Sequence, residues 1–120
     1  MLVLAIRAIG LRDRTADSMM VSNVVATLDW DKVKARYRSN PISRTKRGRM
    51  FRVSRVTETA VYVDLPSKEE PVSRRLLEKA VGLVNQGRVI EGPADYKRLV
   101  GDERPSYAWA LLRDLGFVEE

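Results

Sequence analysis

Ten lysines and arginines fall in the 24 residues from Lys32 to Arg55 (KVKARYRSNPISRTKRGRMFRVSR), with no aspartate or glutamate among them. A block of one charge sign that dense attracts a polyanion, and nucleic acid is the first polyanion to consider for a small basic protein. Arginine suits the task because its planar fork grips a phosphate at two oxygens, and serine or threonine hydroxyls add further donors. The candidate contact residues are Arg36, Arg38, Arg44, Lys46, Arg47, Arg49 and Arg52, with Tyr62 as a group on which a base could stack. The competing use of the block is docking on an acidic protein partner, with Trp109 and Arg113 as interface residues.

Catalytic chemistry has few residues to work with. The 120-residue chain contains neither histidine nor cysteine, which removes thiol nucleophiles, imidazole bases, disulfides and Cys/His zinc sites. Paired carboxylates occur at Asp13/Asp17, Asp29/Asp31 and Glu69-Glu70, in a loop, a helix cap and a turn. The best constellation for a divalent-metal nuclease is Asp64 at a strand end followed by Lys68 and Glu69, a pattern that ordinary turn residues also produce. There is no GxGxxG and no P-loop. The chain therefore reads as non-enzymatic and free of cofactors.

The net charge of +6 is unevenly spread: −1 over Met1–Asp31, +9 over Lys32–Ala60 and −2 over Val61–Glu120. The central segment alone exceeds the net charge of the whole chain. Length and composition predict one domain over 1–120, able to fold without a staple. The cysteine-free composition fits a cytoplasmic setting, and no membrane partner is expected.

The elements that must position the block follow from periodicity. Met1–Ile9 is apolar apart from Arg7 and reads as a strand, LRDRTADS as a loop, and Val21–Leu28 as a strand or an extended approach. Met19-Met20 offers a second start that would make residues 1–18 a dispensable extension. Asp29 is placed to cap a helix over WDKVKARYRS, with Trp30, Val33 and Tyr37 on its apolar face and Asn40-Pro41 as its end. Ile42–Met50 reads as a basic loop. Phe51–Val56 and Ala60–Leu65 alternate as a hairpin about Thr57-Glu58-Thr59, and Pro66–Pro71 reads as a turn.

Helices are expected after the Ser73 cap, after Gly92-Pro93 and from Pro105, stopped by Gly87, Gly101 and Gly116. Trp109 and Arg113 stand four residues apart in the last one, a spacing that allows a cation–π pair. The 73–120 helices, closing with LLRDLGFVE, resemble a winged helix-turn-helix in spacing. That resemblance implies a recognition helix offering polar or basic side chains to the major groove. The last helix and its approach instead carry Asp102, Glu103, Arg104, Ser106, Tyr107, Trp109, Arg113 and Asp114, which nearly cancel in charge. The binding function therefore stays with the 32–55 segment. The fold class expected is α+β, a small antiparallel sheet around the 51–65 hairpin packed against the C-terminal helices.

Overall fold

The computed structural model describes residues 26–119. The expectations for Met1–Ile9, for LRDRTADS, for the Met19-Met20 start and for Val21–Val25 lie outside them. Ala26 exchanges hydrogen bonds with Asn85: its backbone N–H donates to Oδ1 at 2.9 Å, and its carbonyl accepts from Nδ2 at 2.8 Å. The chain then enters α1 (Trp30–Ser39), with the Asp29 carboxylate accepting from the Asp31 N–H. Trp30, Val33 and Tyr37 are buried, as their spacing predicted.

Four strands follow: β1 (Ile42–Arg44), β2 (Met50–Val56), β3 (Ala60–Leu65) and β4 (Lys68–Ser73). They form one antiparallel sheet in chain order β1-β2-β3-β4. The helices are α2 (Arg74–Asn85), α3 (Pro93–Val100) and α4 (Pro105–Asp114). The architecture is α+β, with the C-terminal helices packed on the sheet.

Two segments differ from the sequence reading. Ile42–Arg44, expected in a loop, is strand β1, held by Ile42↔Arg52, Ser43↔Phe51 and Arg44↔Met50 pairings. Lys68–Ser73, expected mostly as a turn, is strand β4, and only Pro66-Ser67 turn the chain. Lys-Glu-Glu-Pro has low strand propensity, but β4 lies at the sheet edge, where a proline need not donate into a ladder.

The inward face of the sheet carries Phe51, Val53, Val61, Val63 and Val72, all buried. Against it lie Leu77, Ala80 and Val81 of α2, Tyr96 and Val100 of α3, and the run Ala108–Leu112 of α4. Five consecutive buried residues leave α4 no outward reading face at its middle. The implied recognition helix is a core helix here. An ion pair and a hydrogen bond tie elements together at the rim: Arg104 Nε at the α4 entrance meets Glu70 of β4 at 3.0 Å, and Lys79 of α2 donates to the Val100 carbonyl of α3 at 3.2 Å.

Candidate nucleic-acid interface

The basic segment is folded into a helix end, a hairpin and a sheet face. In the β1–β2 turn the Gly48 N–H donates to the Thr45 carbonyl at 2.9 Å, and the Thr45 N–H donates to the Arg49 carbonyl at 2.8 Å. The Thr45 hydroxyl also accepts from the Arg49 N–H at 3.1 Å. Gly48 has φ of +93°, a left-handed conformation in which a side chain would be strained. The basic loop expected over Ile42–Met50 is thus the short strand β1 and a bonded hairpin turn.

The candidate residues separate into two groups. Arg36 is engaged inside the fold: it donates to the Asn40 carbonyl, lies 4.8 Å from the Tyr37 ring centroid and sits 3.7 Å from the Asp114 carboxylate. Lys46 turns toward the body of the protein, where its ammonium donates to the Glu91 carbonyl and lies 5.1 Å from the Trp109 ring centroid. Gly92 leaves room for that stem, since a Cβ there would meet Lys46 Cδ at 3.3 Å. These two cations hold the hairpin and the end of α1 in place.

The second group faces outward. Arg38, Arg44, Arg47, Arg49 and Arg52 are all exposed. No hydrogen bond or ion pair among the described residues engages the side chains of Arg38, Arg47, Arg49 or Arg52, and no ion pair joins Arg52 to its cross-strand neighbour Asp64. Among the described residues the side chains of Lys32, Arg75, Arg88 and Lys97 likewise engage no such partner, but these cations are scattered through the chain, and others are paired. Lys34 pairs with Glu58, Arg74 with Glu78, Arg98 with Asp95, and Arg104 with Glu70. Arg44, Arg52 and Arg55 share the outer face of the sheet, and Arg47 and Arg49 extend this basic stripe at the β1–β2 turn. At its far end Lys34, Arg38, Ser54 and Arg55 line a cleft of about 370 Å³ between α1 and β2.

Tyr62 is half-buried on the outer sheet face, and the Arg55 guanidinium covers its ring at 3.9 Å. Arg55 in turn donates to Glu69 at 3.1 Å, and the Ser54 hydroxyl donates to the same carboxylate at 2.5 Å. That hydroxyl, and then Arg55, hold the Glu69 carboxyl below its ordinary range. A slip in register between Val53 and Arg55 brings Arg55 across from Tyr62. One face of Tyr62 is therefore occupied, which weakens the stacking role expected of it.

Trp109 and Arg113 do not form an outward anchor. Trp109 is 0% exposed, and its indole N–H donates to the Ile90 carbonyl at 3.0 Å. The Arg113 side chain is 13% exposed and donates to the Arg44 carbonyl at 2.6 Å and to Asp114 at 3.1 Å. The expected cation–π contact does form, at 5.7 Å, but inside the fold. The interface expectation for this pair is corrected: both residues belong to the support of the basic hairpin.

That support centres on Asp114, which sequence inspection missed. Its Oδ2 accepts from the Tyr37 hydroxyl at 2.9 Å and from the Ser43 hydroxyl at 2.5 Å, while Oδ1 accepts from Arg113. One carboxylate thus joins α1, β1 and α4. Its partners lie 71 and 77 residues away, and no local pattern marks such a residue.

Of the nuclease constellation, Asp64 and Glu69 stand opposite each other across β3 and β4, while Lys68 pairs opposite Leu65. Glu69 is bound to Ser54 and Arg55, Lys68 pairs with Glu70 at 3.0 Å, and among the described residues no group of three acidic side chains converges on a metal position. No helix of the described residues is long and apolar enough to cross a membrane. No family model, curated protein or solved structure matches the chain.

Proposed function

We propose that this protein binds nucleic acid through its phosphates, using Arg38, Arg47, Arg49 and Arg52, with Arg44 on the same surface. The reading rests on one observation: these exposed guanidiniums lie along one hairpin and its neighbouring helix end, and the first four have no carboxylate partner among the described residues. Holding like charges together raises their mutual repulsion, and a polyanion relieves it. Arg36, Lys46 and Arg113 serve the same surface from beneath by fixing the end of α1 and the β1–β2 turn. Phosphate contacts position a protein without reading bases, so affinity from this stripe is uniform across sequences.

Titration of labelled nucleic acid at several salt concentrations tests this. Contacts from four arginines give a slope of about −3 or steeper in log K against log salt, at 0.7–0.9 per phosphate neutralised. A flat salt response would remove the proposal. Salt-insensitive binding to an acidic protein, with none to nucleic acid, would transfer the hairpin to the competing interaction role.

A further inference from the structure

The outer face of the β1–β2 hairpin alternates cation and apolar group. Ile42 pairs with Arg52 and Arg44 with Met50, and residues directly opposite in an antiparallel pair point to the same face. Met50 is 63% and Ile42 37% exposed, and they are two of the three large apolar side chains exposed among the described residues. An apolar side chain left in water at the centre of a cationic surface has no role in the core. It is suited to a ligand that presents both anionic and apolar surface.

The adjoining strands limit the shape of that ligand. On the same sheet face β3 and β4 carry Asp64 and Glu69, with Tyr62 beneath Arg55. A single strand laid across the whole sheet would bring its phosphates over these carboxylates and find its one aromatic ring already covered. The usable surface is a two-stranded ribbon, flanked by Arg47 and Arg49 at the turn and by Arg38 at the far end.

Resting on the phosphate-binding reading above, we infer that the ribbon enters the major groove of duplex DNA. Met50 and Ile42 then lie against base edges, thymine methyl groups included, while the arginines reach the phosphates on either wall. The B-form major groove, ~12 Å wide, admits a two-stranded ribbon, whereas the deep, narrow major groove of A-form RNA does not.

The test uses the full chain with duplex DNA, single-stranded DNA and duplex RNA of equal length, each titrated with wild type and with Met50→Ser. Because Met50 is exposed and the change is neutral in charge, the variant keeps the wild-type melting temperature. Duplex DNA should bind at least about tenfold tighter than the other two, and Met50→Ser should weaken duplex DNA alone by about five- to tenfold. Equal affinity for single strands or duplex RNA, or an unaffected Met50→Ser variant, overturns the groove proposal and leaves phosphate binding standing. Absence of binding to all three polymers overturns both.

Discussion

The phenolic oxygen of Tyr37 in α1 lies 2.9 Å from Oδ2 of Asp114 at the end of α4, joining the basic segment to the last helix across 77 residues. Ser43 and Arg113 converge on the same carboxylate, which is 9% exposed. The positive surface is thus held in shape by a buried negative charge. Asp114→Ala should be severe, costing about 3–5 kcal/mol, because it removes one member of a buried ion pair together with the shared acceptor of Tyr37 and Ser43. Tyr37→Phe should cost about 1.5–3 kcal/mol, the usual range for a hydrogen bond to a charged group. Chemical denaturation of both variants checks the order; equal, negligible losses would mean the cluster does not anchor the hairpin.

Alkaline pH supplies a second test. Burial pushes the Tyr37 phenol well above its ordinary range, with the charge and hydrogen bond of Asp114 adding to the effect. Tyr96 is raised in the same way, by burial and then by nearby Asp102, although its hydroxyl and Asp102 Oδ2 form no well-aligned hydrogen bond. Below about pH 10 both phenols are protonated in the folded and unfolded chains, and their contribution is intact. Above it the unfolded chain releases protons that the folded protein keeps, so stability falls, by ~1.4 kcal/mol per pH unit for each tyrosine. Tyr37→Phe should flatten part of that decline in melts from pH 9 to 11. An unchanged slope would show that Tyr37 ionises freely in the fold.

Trp109 separates core from surface. Trp109→Ala should cost about 3–5 kcal/mol, the range for a buried aromatic. Trp109→Phe should cost about 1–3 kcal/mol, since the Ile90 carbonyl loses its donor inside the core. Urea unfolding measures both. A stable Trp109→Ala variant would contradict the packing described.

Much of the fold was legible in the sequence because its signals are local. Trp30, Val33 and Tyr37 at helical spacing, Ser73 as a cap whose hydroxyl accepts from the Leu76 N–H, and the alternation of Phe51–Leu65 all read directly. Strand β1 was not legible, since three residues between a proline and a charged turn carry no period. Strand β4 was hidden by Glu69, Glu70 and Pro71, whose placement is decided by pairing with β3 rather than by propensity. For the candidate site, the sequence located the charge but not its division. Nothing in RTKRGR distinguishes Lys46, which reaches back to Glu91, from Arg47, which does not. Likewise Trp109 and Arg113 share a helix face, but only the folded chain shows that this face is inside.

That division can be measured directly. Lys46→Gln and Arg47→Gln remove the same charge one residue apart. Arg47→Gln should weaken nucleic-acid binding several-fold with an unchanged melting temperature. Lys46→Gln should lower the melting temperature and weaken binding less, having removed a contact to Glu91 and the ring of Trp109. Indistinguishable effects on both readouts would erase the distinction between supporting and contacting cations.

The central claim is that Arg38, Arg47, Arg49 and Arg52 contact phosphate and do little for the fold. Replacing all four with glutamine and repeating the salt titration tests it most directly. The account predicts an unchanged or slightly raised melting temperature, together with a log K against log salt slope flattened by about three or more relative to wild type. A variant that folds normally and keeps the wild-type slope would contradict the account.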